Sequence, residues 1–197
     1  MKKYNKIDKK NLSIAAITLR GEPLHNGHIQ ELIFPAMLKH DLVYIYLGGS
    51  NEPITMDNPF TIAQRITMLK IVLGTNSKIK IIPIRDIGAT TKQEWVNYLA
   101  EETSKQKLEQ PQYYYAGDEI NAKWMINVKN PITNKTYKVE IVDRLKTGIM
   151  SGTDIRKSII NGGEDWKKHV PPVLHEYILE NFPFKEILKN NPNIIIP

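Results

Sequence analysis

The sequence has 197 residues, 41% hydrophobic and 24% charged, with 27 basic against 21 acidic side chains for a net charge of +6. That length and apolar content predict one folded domain rather than a disordered chain, and no apolar run of roughly 18 residues offers a membrane span. Cysteine is absent, which excludes thiol catalysis, a disulfide framework and a Cys-ligated zinc site, and fits a cytoplasmic protein.

Residues 1–12 begin MKKYNKIDKKN, with no apolar stretch behind the charges to make a secretion signal. They read as a flexible basic N-terminus in which Lys2, Lys3, Lys6, Lys9 and Lys10 are solubilising charge. Residues 13–19 (SIAAITL) read as the first strand, followed by 42–47 (LVYIYL), 78–84 (KIKIIPI), 113–116 (YYYA) and 137–142 (YKVEIV). Short, near-continuous apolar runs predict strands covered on both faces, as in a parallel sheet. Helical patterns lie between them. Residues 26–39 place Ile29, Leu32, Ile33 and Ala36 on one face, with Pro35 expected to kink the helix or end it early. Residues 59–73 have Asn58 as a possible cap, Pro59 at the first helical position and Gly74 at the end. Residues 92–102, 152–160 and 172–180 complete the set, and 127–136 (NVKNPITNKT) read as an excursion loop. Strands alternating with helices imply βαβ units. The expected architecture is one α/β domain over 1–197, a Rossmann-like doubly wound parallel sheet with a short C-terminal helical element and a tail over 183–197.

Ligands of such sheets bind beyond the carboxyl ends of the strands. Directly after the first strand comes Arg20-Gly21-Glu22-Pro23-Leu24-His25-Asn26-Gly27-His28. Histidines three apart share a face of a starting helix, and Gly27 lets a ligand approach the backbone. A helix start offers unpaired N–H groups to a phosphate, and an anion there favours protonated imidazoles. The same residues also allow plain core or surface histidines, or a metal held by His25, His28 and Glu31. A second helix start, Ser151-Gly152-Thr153-Asp154-Ile155-Arg156, combines a capping-box-like Ser151/Asp154 pair with two hydroxyls and an arginine one turn in. Together the two starts suit a triphosphate. A basic balance suits anionic partners, but no contiguous basic stripe exists, so nucleic acid is not expected.

His25-Asn26-Gly27-His28 resembles the HxGH motif of the nucleotidyltransferase superfamily, and Ser151 to Arg156 resembles its ISSTxxR-type partner. More specifically, the chain is similar to the archaeal-type nicotinamide-nucleotide adenylyltransferases. Arg20 to His28 is similar to their GRFQPxHxGH, with Glu22 where Gln is usual. Gly49-Ser50, then Asn58-Pro59-Phe60-Thr61 and Arg65, is similar to their GS…NPFTxxER, with Gln64 where Glu is usual. The likeness covers residues 14–177.

The resemblance implies that ATP and nicotinamide mononucleotide give NAD and pyrophosphate, by in-line attack at the α-phosphate and with no covalent intermediate. It implies catalytic roles for His25, His28 and Arg156, and ATP contacts from Arg20, Gly21, His25, His28, Ser151, Gly152, Thr153 and Arg156. For the acceptor nucleotide it implies Trp95, Asp86, Arg65, Ser50 and Asp118. The spacing from Asp86 to Trp95 is about two residues longer than the family's. Residue by residue, Trp95 also reads as core, Arg65 as an exposed helix charge and Asp118 as a turn or N-cap carboxylate. Magnesium is expected to arrive with ATP, with no metal ligand from protein side chains. The Nudix hydrolase domain fused to some relatives is not expected. A homo-oligomer is, and the apolar residues 194–196 are a candidate subunit contact. Two alternatives stay open: the same chemistry on another acceptor (nicotinate mononucleotide, phosphopantetheine or FMN, or a cytidylyl transfer), and a non-catalytic nucleotide-binding protein.

Overall fold

Parallel pairing organises the chain. A computed structural model describes residues 12–142 and 148–190. The basic residues Lys2 to Lys10 and the apolar residues 194–196 lie outside the described residues. Five parallel strands form one sheet, β1 (Ile14–Leu19), β2 (Leu42–Leu47), β3 (Ile79–Pro83), β4 (Tyr113–Ala116) and β5 (Lys138–Ile141), in the order β3-β2-β1-β4-β5. The register runs from Ile14 beside Leu42 to Leu19 beside Leu47, and Ala15 to Ile17 pair with Tyr113 to Tyr115 on the other side. The chain grows outward from β1 to β3, then returns to lay β4 on the opposite flank of β1. The order therefore reverses between β1 and β4, and a crevice opens above that point.

Side chains alternate along each strand and feed two cores. Ala15, Ile17, Val43 and Ile45 face one layer with Ile29, Leu32, Met68, Leu69, Ile155 and Trp166. Ala16, Tyr44, Tyr46 and Tyr114 face the other, with Val96, Leu99 and Met125. The central strands β1 and β2 are buried almost throughout, as their unbroken apolar runs predict, whereas edge strand β5 is largely exposed. The helices are α1 (Asn26–His28), α2 (Phe34–Lys39), α3 (Ile62–Leu73), α4 (Lys92–Lys105), α5 (Glu119–Lys123), α6 (Gly152–Ile160), α7 (His175–Asn181) and α8 (Phe184–Asn190).

Three differences from the sequence reading have local causes. Pro35 does not end its helix: α1 and α2 are joined by a π-helical turn at Ile29–Ile33, and the Phe34 amide reaches back to the Ile29 carbonyl. The widened turn admits the proline ring and lets the helical run continue to Lys39. Helix α3 starts later than Asn58 and Pro59 suggested. Thr61 is its N-cap, in a reciprocal capping box with Gln64, while Gly74 ends it with φ of 63° as expected. The segment from residue 183, expected as tail, contains α8, whose Ile187 is buried in the first core. The 127–136 excursion is pinned by buried Asn130, which donates to the Gln110 and Tyr137 side chains and accepts from the amides of Ile132 and Thr133.

The cap assignment makes a prediction. Thr61→Ala should lower unfolding free energy by about 1 kcal/mol in urea titrations, and Asn58→Ala by less than about 0.5 kcal/mol. The reverse order would return the helix start to Pro59.

Candidate active site

Two cavities open above the carboxyl edge of the sheet. The larger, about 770 Å3, is lined by Arg20, Gly21, His25 and His28 from the loop after β1, and by Ser151, Gly152, Thr153 and Arg156 from the start of α6. All eight residues assigned to ATP therefore face one space. Asp57, Gly117 and Asp118 share it.

His25 is the N-cap of α1, and its Nδ1 accepts from the Gly27 amide at 3.1 Å. Accepting at Nδ1 requires the neutral ring, which leaves Nε2–H as the donor. The rings of His25 and His28 lie 3.8 Å apart, centre to centre, and both residues are buried. Gly27 makes this stacking possible: a Cβ there would sit 2.9 Å from His25 Cε1. Gly152 is equally constrained, because a Cβ would come within 3.2 Å of the Glu22 carbonyl oxygen. Ser151 caps α6, accepting from the Asp154 amide at 3.2 Å and donating to its carboxylate at 2.7 Å. Arg156 donates to the Glu22 carbonyl at 2.8 Å, to Asp57 at 3.0 Å and to Thr153 Oγ1 at 3.2 Å.

The smaller cavity, about 490 Å3, is lined by Asp86, Trp95 and Trp124 among others, and shares Arg20 with the first. Arg20 forms an ion pair with Asp86 and donates to Asn58 at 2.8 Å. Trp95, on the first turn of α4, is half-buried, packs on Tyr98 with ring centres 5.9 Å apart and turns toward the smaller cavity that it helps to line. Trp124 was not singled out from the sequence. Its signal was a tryptophan six residues beyond Asp118, directly after a short helix that the pattern did not reveal.

Three residues assigned to the acceptor lie outside the smaller cavity. Arg65 faces neither cavity. It is buried, and donates to the carbonyls of Arg20 at 2.9 Å, Gly48 at 2.6 Å and Gly49 at 2.9 Å, with Nε 2.9 Å from a Glu22 carboxylate oxygen. It is not an exposed helix charge; it ties the loops after β1 and β2 together. Ser50 lines neither cavity, and its amide donates to the Ile84 carbonyl at 2.9 Å. Asp118 lines the larger cavity rather than the smaller, and its carboxylate also caps α5 through the Asn121 amide at 2.7 Å. Glu31 joins no metal site: no group of three or more His, Asp or Glu among the described residues could hold an ion.

No family model matches the chain. It is 33% identical over 158 residues to a nicotinamide-nucleotide adenylyltransferase from Methanococcus aeolicus, covering 80% of this chain and 83% of that protein. The chain belongs to the nicotinamide-nucleotide adenylyltransferase family. A Picrophilus torridus relative of the same name is 31% identical over 169 residues, covering 84% of this chain and 90% of its own length. Among solved structures, a bifunctional NMN adenylyltransferase/ADP ribose pyrophosphatase from Francisella tularensis superposes with a TM-score of 0.72 at 18% identity, over 92% of this chain. This chain covers 54% of that one, about half its length, and the likeness establishes the shared fold. The Francisella enzyme has also been solved with AMP and a manganese ion. No helix among the described residues is long and apolar enough to cross a membrane.

Two predictions arise here. Gly27→Ala should displace the His25 ring and cut turnover at least tenfold, while the unfolding midpoint stays near wild type. Equal loss of both would make the effect global. Burial pushes the Glu22 carboxyl up to about 7, against the opposing pull of Arg65 and the Phe60 amide. Native Glu22 then holds a proton that the unfolded chain has lost, so its contribution to stability falls as pH rises from about 4.5 to about 7. Glu22→Gln has no proton to lose. Its stability relative to wild type should therefore improve between about pH 5 and pH 8, by on the order of 1–3 kcal/mol, as read by urea unfolding at each pH.

Proposed function

We propose that the protein joins ATP to nicotinamide mononucleotide, giving NAD and pyrophosphate. The observation that carries this reading is the pair of cavities meeting at Arg20, one lined by histidines, hydroxyls and Arg156, the other by indoles and a carboxylate. A triphosphate suits the first. A flat cationic ring on a ribose suits the second, since a pyridinium is attracted to an indole face.

The 5′-phosphate oxygen of the mononucleotide attacks the α-phosphorus of ATP in line. The bond to the bridging oxygen of the β-phosphate breaks, and pyrophosphate leaves. No side chain becomes covalently attached, so the protein works by positioning and charge stabilisation. His25, through Nε2–H, and His28 hold the phosphates at the point of attack. Arg156, Ser151 and Thr153 hold the β- and γ-phosphates and stabilise the leaving pyrophosphate. Arg20, shared by the two cavities, draws the attacking phosphate towards the α-phosphate. Trp95 stacks the nicotinamide ring, Trp124 bounds the same pocket, and Asp86 orients Arg20 from the acceptor side.

A divalent ion fits as part of the substrate rather than as a resident. The described carboxylates at the larger cavity do not form a three-ligand set, and hard cations are readily held by phosphate oxygens and water. Magnesium bound to ATP supplies further neutralisation of phosphate charge. We extend the proposal to a single nucleotidyltransferase domain acting in the cytoplasm as a homo-oligomer.

An assay with ATP, magnesium and equal amounts of nicotinamide, nicotinate and flavin mononucleotides and phosphopantetheine should yield mainly NAD by chromatography. Another dominant product would keep the ATP site and overturn the acceptor. His28→Ala should lower kcat about a hundredfold or more with the fold intact. Trp95→Ala should raise KM for the mononucleotide about tenfold while KM for ATP changes less than about twofold, and Trp95→Phe should recover most of the loss. Equal changes in both KM values would return Trp95 to a packing role.

A further inference from the structure

Arg156 already has an anion. Its guanidinium is 9% exposed, and it contacts the Asp57 carboxylate, which is 82% exposed and lines the same cavity. The other contacts of that guanidinium, the Glu22 carbonyl and Thr153 Oγ1, are neutral. Asp57 lies on the loop between β2 and α3. That loop is anchored at both ends: the Asn51 side chain bonds both the amide and the carbonyl of Asp86, and the Phe60 amide donates to Glu22. The next residue, Asn58, accepts from Arg20. Neighbouring side chains of one tethered loop thus occupy both arginines of the larger cavity.

We propose that Asp57 is a built-in competitor at Arg156: it stands in for a phosphate there, weakens any phosphate ligand that must displace it and so favours release of pyrophosphate. The inference rests on Arg156 being a phosphate-binding residue. A guanidinium cannot hold a carboxylate and a phosphate at close range without the two anions repelling each other. A ligand reaching Arg156 therefore exchanges one anion for another, and the exchange alone brings little gain. A single phosphate has nothing further to offer there. Linked phosphates also reach the Ser151 and Thr153 hydroxyls and the histidine end of the cavity, and those added contacts drive displacement of the exposed carboxylate. Once pyrophosphate has formed, the waiting carboxylate competes for Arg156 and promotes release. Because Asp57 is mostly solvated, the competition is modest, on the scale of exposed ion pairs.

The test is calorimetric binding of pyrophosphate and of orthophosphate, each alone, to the full chain. Asp57→Asn removes the charge at an exposed position while keeping the shape. It should tighten pyrophosphate binding about three- to tenfold and orthophosphate binding by no larger a factor, since a single phosphate displaces at most the same carboxylate. Asp57→Glu should behave as wild type. In an Arg156→Ala background, Asp57→Asn should no longer change either affinity. Unchanged or weaker pyrophosphate binding by Asp57→Asn would overturn the proposal and make Asp57 a support for Arg156. A gain that persists without Arg156 would also overturn it, as a general charge effect. If Arg156→Ala alone leaves pyrophosphate affinity untouched, the phosphate reading of Arg156 itself fails. That outcome is separable, because it needs no Asp57 variant.

Discussion

The buried pairing of Arg65 with Glu22 is the constraint on which the rest of the site depends. Arg65 takes up the carbonyls of Arg20, Gly48 and Gly49, so the loops after two adjacent strands are bound to one guanidinium. Glu22 answers with its carboxylate, and also accepts from the Phe60 amide at the entry to α3. Its carbonyl oxygen, in turn, holds Arg156. This one buried contact therefore links the first loop, the second loop and the arginine of α6. Such pairs contribute little net stability, because desolvation offsets attraction. Their value here is geometric: losing one partner leaves a buried charge and releases three segments together.

This hub also explains why the cavities lie where they do. A parallel sheet whose order reverses beside β1 leaves the loops after β1 and β4 diverging, and space opens between them. The loop after β1 turns back under control of Arg65 rather than crossing that space. Gly27 and Gly152 then allow two helix starts to approach closely, one against the His25 ring and the other against the Glu22 carbonyl. Close backbone approach at Gly27 and Gly152 shapes this side of the larger cavity.

Much of the fold was legible because buried parallel strands carry continuous apolar runs. All five strands fall within the predicted segments, and α6 was found at Gly152–Ile160 from its cap and period. The eight residues that line the larger cavity together were legible as a group because they sit in two short motifs, each on a single loop. The acceptor site was harder, since its residues come from segments that only the tertiary fold brings together. Arg65 shows why. An arginine on an amphipathic helix gives no sign in sequence of whether it points outward to solvent or inward to carbonyls. Asp57 and Trp124 were missed for the same reason: each acquires meaning only from a partner distant in the chain. Thr61 was passed over as a cap because Asn58-Pro59 satisfies a familiar start pattern, whereas the reciprocal bond to Gln64 is the stronger local solution.

Each cavity-lining arginine contacts a carboxylate, Asp86 for Arg20 and Asp57 for Arg156. The cationic charge at the cavities is therefore balanced within the fold, which keeps these groups ordered and spares them mutual repulsion. The arrangement weakens the attraction for any anion that reaches either arginine, so a ligand held there needs further contacts in the same cavities. Arg20 is where this matters most for chemistry. It borders both cavities, so on the proposed reaction the attacking phosphate and the α-phosphate would share one guanidinium, which would lower their repulsion as they approach. Asp86 holds that guanidinium from the acceptor side and Asn58 holds it from the loop. The group that must bring two anions together is thus oriented before either arrives, and the cost of organising it belongs to folding rather than to the reaction.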